Sequence, residues 1–204
     1  VVSNAGGLDP VAAAQAIRDL GTGAKVASVS GDDLLPRFAE VGEEWINLDT
    51  GEPFTGHPLS ANAYLGARGI VAALEAGADV VVTGRVTDAA LVIGPAAWWH
   101  GWDLDSPDTL DALAGALVAG HVIECGAQAS GGNYAFFREV PGLEHVGFPI
   151  AELASDGTSV ITKHPNTGGL VSPGTVTAQL LYEVGDEHHL NPDVTARFDT
   201  IEID

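Results

Sequence analysis

The strongest constraint on this chain is a repeated grammar: a short apolar run, a glycine-containing turn, then a helical stretch. Val1-Val2 runs into Asn4-Ala5-Gly6-Gly7, Lys25 to Val29 ends at Ser30-Gly31-Asp32-Asp33, and Ala78-Asp79-Val80-Val81-Val82 ends at Thr83-Gly84-Arg85. Parallel strands need long crossover connections, normally helices, and these cover the sheet faces; strand, glycine turn, helix, strand is therefore the pattern of parallel βαβ units. In such sheets ligands sit beyond the carboxyl ends of the strands, and all three glycine turns fall there. The expected fold is α/β, a mostly parallel Rossmann-like sheet with flanking helices, whose strand-end loops are shaped to hold a small-molecule substrate.

Helix signals fill the gaps. Asp9 followed by Pro10 predicts an N-cap and first turn for a helix reaching Leu20. A long helix is expected over Ala61 to Ala76, with Ser60 or Asn62 near its start and Gly77 stopping it. Further helices are expected from Asp88, over Leu110 to Cys125, and near Thr175 to Glu183. Trp98, Trp99 and Trp102 read as a loop before the second of these, serving packing or lining a substrate. Residues 36–58 are mixed and turn-rich. From about Gly147 short β-like runs (Ser159 to Thr162, Leu170-Val171) alternate with turns, which admits a smaller mixed β subdomain after about residue 146. With 204 residues, 46% of them hydrophobic, one α/β domain is the default. The chain has no methionine and both opens and closes in strand-like runs, so it is expected to be a fragment of a longer domain.

Charge narrows the partners. A formal net charge of -20 with eight Lys and Arg repels nucleic acid and anionic lipid. Neither a nucleic-acid nor a membrane partner is expected, whereas association with further copies of the chain stays open. The single cysteine, Cys125, rules out an intrachain disulfide and fits a reducing compartment. No window has the roughly 18 apolar residues of a membrane span and no signal peptide is visible, so the expected location is cytoplasmic.

Five constellations could carry chemistry. Asn4, Gly6 and Gly7 stand where backbone N–H groups approach an anion at a helix N-terminus, or form a tight turn only. The loop does not match the spaced dinucleotide fingerprint or the Walker loop. Asp32, at the next strand end, could bind a metal, a ribose or a hydroxyl group, or cap the following helix. Arg85 is a scarce cation at a strand end and a natural clamp for a carboxylate or phosphate; Asp88 would orient it, act as a base, or cap the following helix. His121 and Glu124 lie three apart, hence on one helical face, a spacing that suits an acid–base pair or a His/carboxylate metal pair. No metal is assigned, because two ligands do not make a site. Cys125 is either a nucleophile or a small buried hydrophobe. Ser130, Gly131 and Asn133 offer donors for an oxyanion, and Lys163, beside His164 and two glycines, is a second anion-binding candidate or part of an exposed turn. His188 and His189 read as surface.

Taken in order, these pieces resemble the acyclic terpene utilisation family, the AtuA-type proteins. The resemblance rests on Asn4-Ala5-Gly6-Gly7, Ser30-Gly31-Asp32-Asp33, Ser60-Ala61-Asn62-Ala63-Tyr64-Leu65-Gly66 and Gly77-Ala78-Asp79 with Thr83-Gly84-Arg85 and Asp88. It continues through Gly120-His121 with Glu124-Cys125-Gly126, Thr162-Lys163-His164, Gly168-Gly169-Leu170-Val171, Gln179-Leu180-Leu181-Tyr182-Glu183 and Pro192-Asp193-Val194. It spans nearly the whole chain and implies the central portion of a longer family domain. It also implies a role in bacterial catabolism of citronellol- and geraniol-like terpenes through branched acyl-CoA thioesters, by a lyase-type or hydratase-like step. The resemblance names no catalytic residues and no cofactor. Asp88, Glu124 and His121 are the catalytic candidates. Asn4, Gly6, Gly7, Asp32, Arg85, Ser130, Gly131, Asn133 and Lys163 are the substrate-binding ones. A metal-dependent hydrolase using Asp32, Asp88, His121 and Glu124, and a non-catalytic metabolite-binding partner protein, are the alternatives.

Overall fold

The computed structural model describes residues 1–38, 40 and 45–204. Of the turn-rich stretch 36–58, residues 39 and 41–44 lie outside the described residues.

Three parallel strands form the sheet that the glycine turns predict. β1 (Val2–Ser3) and β2 (Val26–Val29) flank β3 (Val80–Thr83), in the order β1-β3-β2. Val81 is in register with Val2 on one side and Ala27 on the other. Val81, Val82 and Thr83 are buried, as a continuous apolar strand covered on both faces requires. The carboxyl ends of all three strands lie on one edge.

The sheet stops there, and the expected large Rossmann-like sheet is replaced by helix-on-helix packing. After β3 the chain runs into α3 (Ala90–His100) and α4 (Leu110–Glu124). Both are rich in Ala and Gly and apolar around most of their circumference, so they bury against each other instead of feeding a fourth parallel strand. The remaining strands pair antiparallel: β4 (Pro149–Leu153) with β5 (Ser159–Lys163), and β6 (His188–His189) with β7 (Ala196–Arg197). The β4–β5 hairpin packs on α4, and Leu153 and Phe198 lie against the same core as the buried Ile70, Ile93, Leu113 and Leu117. Burying each of those four contributes about 1.5–3 kcal/mol.

Local signals set most helix boundaries. In α1 (Pro10–Asp19) the Asp9 carboxylate accepts from the Ala12 N–H at 2.9 Å. α5 (Pro173–Leu180) opens with a reciprocal capping box between Ser172 and Thr175. α2 is the exception: it spans only Arg68–Glu75. Residues 60–67 run extended, bridging Asn62 to Asp33 and Leu65 to Val86. The cap is supplied from the far end of the chain, where both oxygens of Asp193 accept from the Ala67 N–H at 2.9 Å; neither Ser60 nor Asn62 performs it. Trp98 and Trp99 belong to the last turn of α3 rather than to a loop. Trp102 follows, buried, its Nε1–H donating to the Ser155 carbonyl at 3.0 Å. Leu170 and Val171 form no strand.

Among the described residues, no helix is long and apolar enough to cross a membrane.

Candidate functional site

The three strand-end loops converge. Gly6 lets the loop after β1 settle onto the end of β3: a Cβ there would come within 2.5 Å of the Thr83 carbonyl oxygen and 2.6 Å of Pro10 Cα. Gly7 takes a φ of 56°, a conformation glycine adopts without penalty. Asn4 thereby reaches across to the loop after β3, its Nδ2 3.4 Å from Asp88 Oδ1. Asp32 joins the loops after β2 and β3 from beneath. It is 3% exposed and accepts from Asn62 Nδ2 and from the Arg85 backbone N–H, each at 3.0 Å, with its carboxylate directly against Gly84. Its carboxylate therefore holds the fold of the site edge.

Asp88, His121 and Glu124 come together in one cleft. Gly120 makes this happen: its Cα position stands so close to Ala89 that an added Cβ would lie 2.8 Å from Ala89 Cα. That contact sets the end of α4 against the residue next to Asp88. His121 Nδ1 lies 3.3 Å from Glu124 Oε1, with His121 buried and Glu124 half-buried. Tyr64, Thr87, Glu183 and His189 are among the other residues that line this cleft of about 210 Å³. Thr87 Oγ1 and His121 Nε2 are buried there without a geometric hydrogen-bond partner among the described residues.

Three groups of this cleft have shifted protonation equilibria. Partial burial raises the pKa of Asp88, and the neighbouring Glu124 and Glu183 raise it further, against the opposing pull of Arg85. Burial pulls the His121 ring down. The hydrogen bond and charge of Glu124, with the carbonyls of Leu180 and Tyr182, outweigh it and leave His121 raised. His189, whose ring lies 5.2 Å from that of His121, is lowered by burial and then by the His121 charge. The neighbouring rings of His121 and His189 are thus pushed toward opposite protonation states.

The other sequence candidates serve elsewhere. Arg85 is exposed at the strand end, close enough to act on Asp88 electrostatically without an ion pair among the described residues. Ser130 is fully buried with its Oγ unpartnered among the described residues, and Gly131 turns the chain at a φ of 123°. Asn133 donates to Gln179 Oε1 at 2.7 Å, and Gln179 donates to the His121 carbonyl at 3.1 Å, so Asn133 braces α4 from behind. Lys163 Nζ donates to the Thr167 carbonyl at 2.8 Å, closing its own turn. Cys125 is exposed, and burial of its thiol group together with Glu124 raises its pKa, the reverse of an activated nucleophile. Among the described residues, no three of His, Cys, Asp and Glu stand where they could hold a metal ion. Sequence reasoning missed Tyr64, Glu183 and His189. His189 carries no local signal, because the β6–β7 pairing that turns it inward is visible only in the folded chain.

Fold and site together define an α/β protein with a carboxylate–histidine cleft at the carboxyl edge of a small parallel sheet. The model of the acyclic terpene utilisation family protein AtuA matches residues 1–204, the whole chain. The chain belongs to the acyclic terpene utilisation family. No curated protein and no solved structure matches it.

Proposed function

We propose that this chain carries out general acid–base chemistry on a neutral branched acyl thioester formed during acyclic terpene utilisation, adding water to an activated carbon–carbon double bond or removing it. The observation that carries the reading is the convergence of Asp88 with the His121–Glu124 pair in one cleft. Asp88, held toward its protonated form, is the acid. Glu124, steadied by His121, is the base. In the hydration direction Glu124 takes a proton from water, the water oxygen bonds to the β-carbon, and Asp88 delivers its proton to the α-carbon. The net change is the addition of one water, and proton exchange with solvent restores both carboxyl groups. The pair is expected to contribute ~10²–10⁴-fold to rate, the usual span for positioned acid–base groups.

The charge in the cleft favours the thioester over the free acid. Asp88 already feels Glu124 and Glu183, and a substrate carboxylate would add another anion to a partly desolvated cluster. A thioester carbonyl adds none. Arg85, exposed beside the cleft, is the cation available to a phosphate of the carrier. The cleft, at about 210 Å³, falls below the ~300 Å³ that begins the range for whole-ligand pockets, so it takes the reacting end of a longer molecule.

Incubating the protein with geranyl-CoA in ¹⁸O-labelled water and weighing the thioester tests the reading. A product heavier by one labelled water supports it. Recovery of unlabelled geranyl-CoA, or release of geranic acid alone, overturns it.

A further inference from the structure

Thr87, the residue before Asp88, carries a hydroxyl that the fold does not use. Its Oγ1 is shielded from solvent, and among the described residues no group hydrogen-bonds to it. The backbone of Thr87, by contrast, is fully engaged. Its N–H donates to the Leu65 carbonyl and its carbonyl accepts from the Ala90 N–H, each at 2.9 Å. These bonds, with the Leu65–Val86 bridge beside them, fix Thr87 in the wall of the cleft and leave rotation about Cα–Cβ as the freedom of the hydroxyl. Thr83, on β3, shows the ordinary arrangement: its buried hydroxyl donates to the Gly84 carbonyl at 3.1 Å. A buried hydroxyl without such a partner loses its hydration and destabilises the fold. A methyl group, as in valine, would fill the same space without that cost.

Other polar groups of the cleft are committed or wet. His121 has Glu124 at Nδ1 and the carbonyls of Leu180 and Tyr182 beside its ring. Tyr64 is 57% exposed, so water competes for its hydroxyl. Glu124 and Glu183 are acceptors when ionised. Hydration of a thioester also needs a donor, because the carbonyl oxygen gains negative charge as water adds to the β-carbon. A neutral donor shielded from water is worth most there.

We infer that Thr87 is a catalytic residue of this cleft, its hydroxyl donating a hydrogen bond to the carbonyl oxygen of the bound thioester. The inference rests on the reading of the cleft as the place of hydration and adds the group that steadies the intermediate. As the water oxygen bonds to the β-carbon, Glu124 takes the water proton. The π electrons of the carbon–carbon double bond shift toward the carbonyl and leave an enolate oxygen. The Thr87 O–H donates to that oxygen and keeps its proton. Asp88 then gives its proton to the α-carbon, and the carbonyl re-forms. The carbonyl oxygen and the α-carbon are bonded to one and the same carbon atom. Thr87 and Asp88 are consecutive, with Cα atoms ~3.8 Å apart, so two neighbouring side chains serve two neighbouring substrate atoms.

Thr87→Val, which exchanges the hydroxyl for a methyl group, and Thr87→Ser, which keeps it, test the inference by melting temperature and by turnover of geranyl-CoA. Thr87→Val is expected to melt at or above the parent temperature, yet to lose about 10²–10³-fold in kcat, the span for removing one such donor, while Thr87→Ser stays within about tenfold of the parent. A second readout needs no turnover. Geranyl-CoA labelled with ¹³C at the thioester carbonyl is bound to Glu124→Gln and followed by isotope-edited infrared spectroscopy. The carbonyl stretch is expected to fall in frequency on binding, and to return toward its solution value when Thr87→Val is added. The inference is overturned if Thr87→Val turns over within a few-fold of the parent, or if the carbonyl stretch is the same with and without the hydroxyl. It is also overturned if Thr87→Val melts well below the parent, which would give the hydroxyl a structural role. A carbonyl shift that depends on Thr87, without hydration by the parent, would keep the contact and reject the acid–base reading. Glu124-dependent hydration with a carbonyl shift that ignores Thr87 would do the reverse. Failure of the folded parent to bind geranyl-CoA would overturn both.

Discussion

His121 Nδ1 stands 3.3 Å from Glu124 Oε1, one helical turn apart at the end of α4, with 4% and 13% of the two side chains exposed. A buried imidazole alone would lose its proton more easily than in water. Here Glu124 reverses that tendency, and the ring is raised. Glu124→Gln is expected to lower the His121 pKa, because burial is then opposed only by the carbonyls of Leu180 and Tyr182. Titration of the histidine ring resonances by NMR reads this directly. A His121 pKa unchanged in Glu124→Gln would show that the pair does not set the protonation of the site.

The same pair gives a pH dependence of stability. The folded pKa of His121 lies above its unfolded value near 6.5, so the stabilisation is fully present below the unfolded value. It is lost as pH rises through the folded one. Urea unfolding at a series of pH values is expected to show this loss in the parent and a smaller or reversed one in Glu124→Gln.

Asp88 works in the opposite sense from most carboxylates. Its folded pKa is raised. Its proton is therefore held more tightly in the fold, and the associated stability is present below the unfolded value and declines as pH rises through the folded one. Asp88→Asn is expected to leave the neutral-pH melting temperature unchanged or slightly higher, since it removes repulsion with Glu124 and Glu183. A marked fall in melting temperature would assign Asp88 a structural role.

The fold of the site edge depends on contacts made over long sequence distances. Asp193 caps α2 at the Ala67 N–H, and Asp193→Ala is expected to cost about 0.5–2 kcal/mol, the span for losing a helix cap. Gly120→Ala forces a methyl group against Ala89 and is expected to cost about 1–3 kcal/mol as an overpacking change. Urea denaturation checks both. The Gly120 variant should also lose activity beyond its loss of stability, because α4 carries His121 and Glu124.

These two contacts show where the sequence was legible and where it was not. The strand–turn–helix grammar located β1, β2 and β3 and placed Asn4, Asp32 and Asp88 at one sheet edge, because the glycine turns are local and period-coded. The i, i+3 spacing placed His121 beside Glu124, again a local rule. What escaped was nonlocal. The start of α2 is fixed by Asp193, over a hundred residues away. The truncation of the sheet follows from α3 packing on α4. Glu183 and His189 enter the cleft only because α5 and the β6–β7 pair fold back over it. Asp32 and Lys163 carry the right chemistry for ligands, yet the nearest partners of their charges are protein atoms, Asn62 and Arg85 for one and Thr167 for the other.

The thiol of Cys125 offers a contrasting test. Its pKa is raised by burial and by Glu124, so at neutral pH it is expected to react with iodoacetamide more slowly than a free cysteine. Cys125→Ser is expected to keep full turnover. Rapid alkylation accompanied by loss of activity would make Cys125 a nucleophile.

The central claim is that Asp88 and Glu124 exchange protons with a bound thioester. Steady-state turnover of geranyl-CoA by the parent, Asp88→Asn and Glu124→Gln, with folding checked by circular dichroism, tests it most directly. Each variant is expected to lose at least about 10²-fold in kcat, the lower end for a positioned acid or base, and the parent rate is expected to decline as pH rises through the raised pKa of Asp88. Variants that stay folded and turn over within a few-fold of the parent would contradict it.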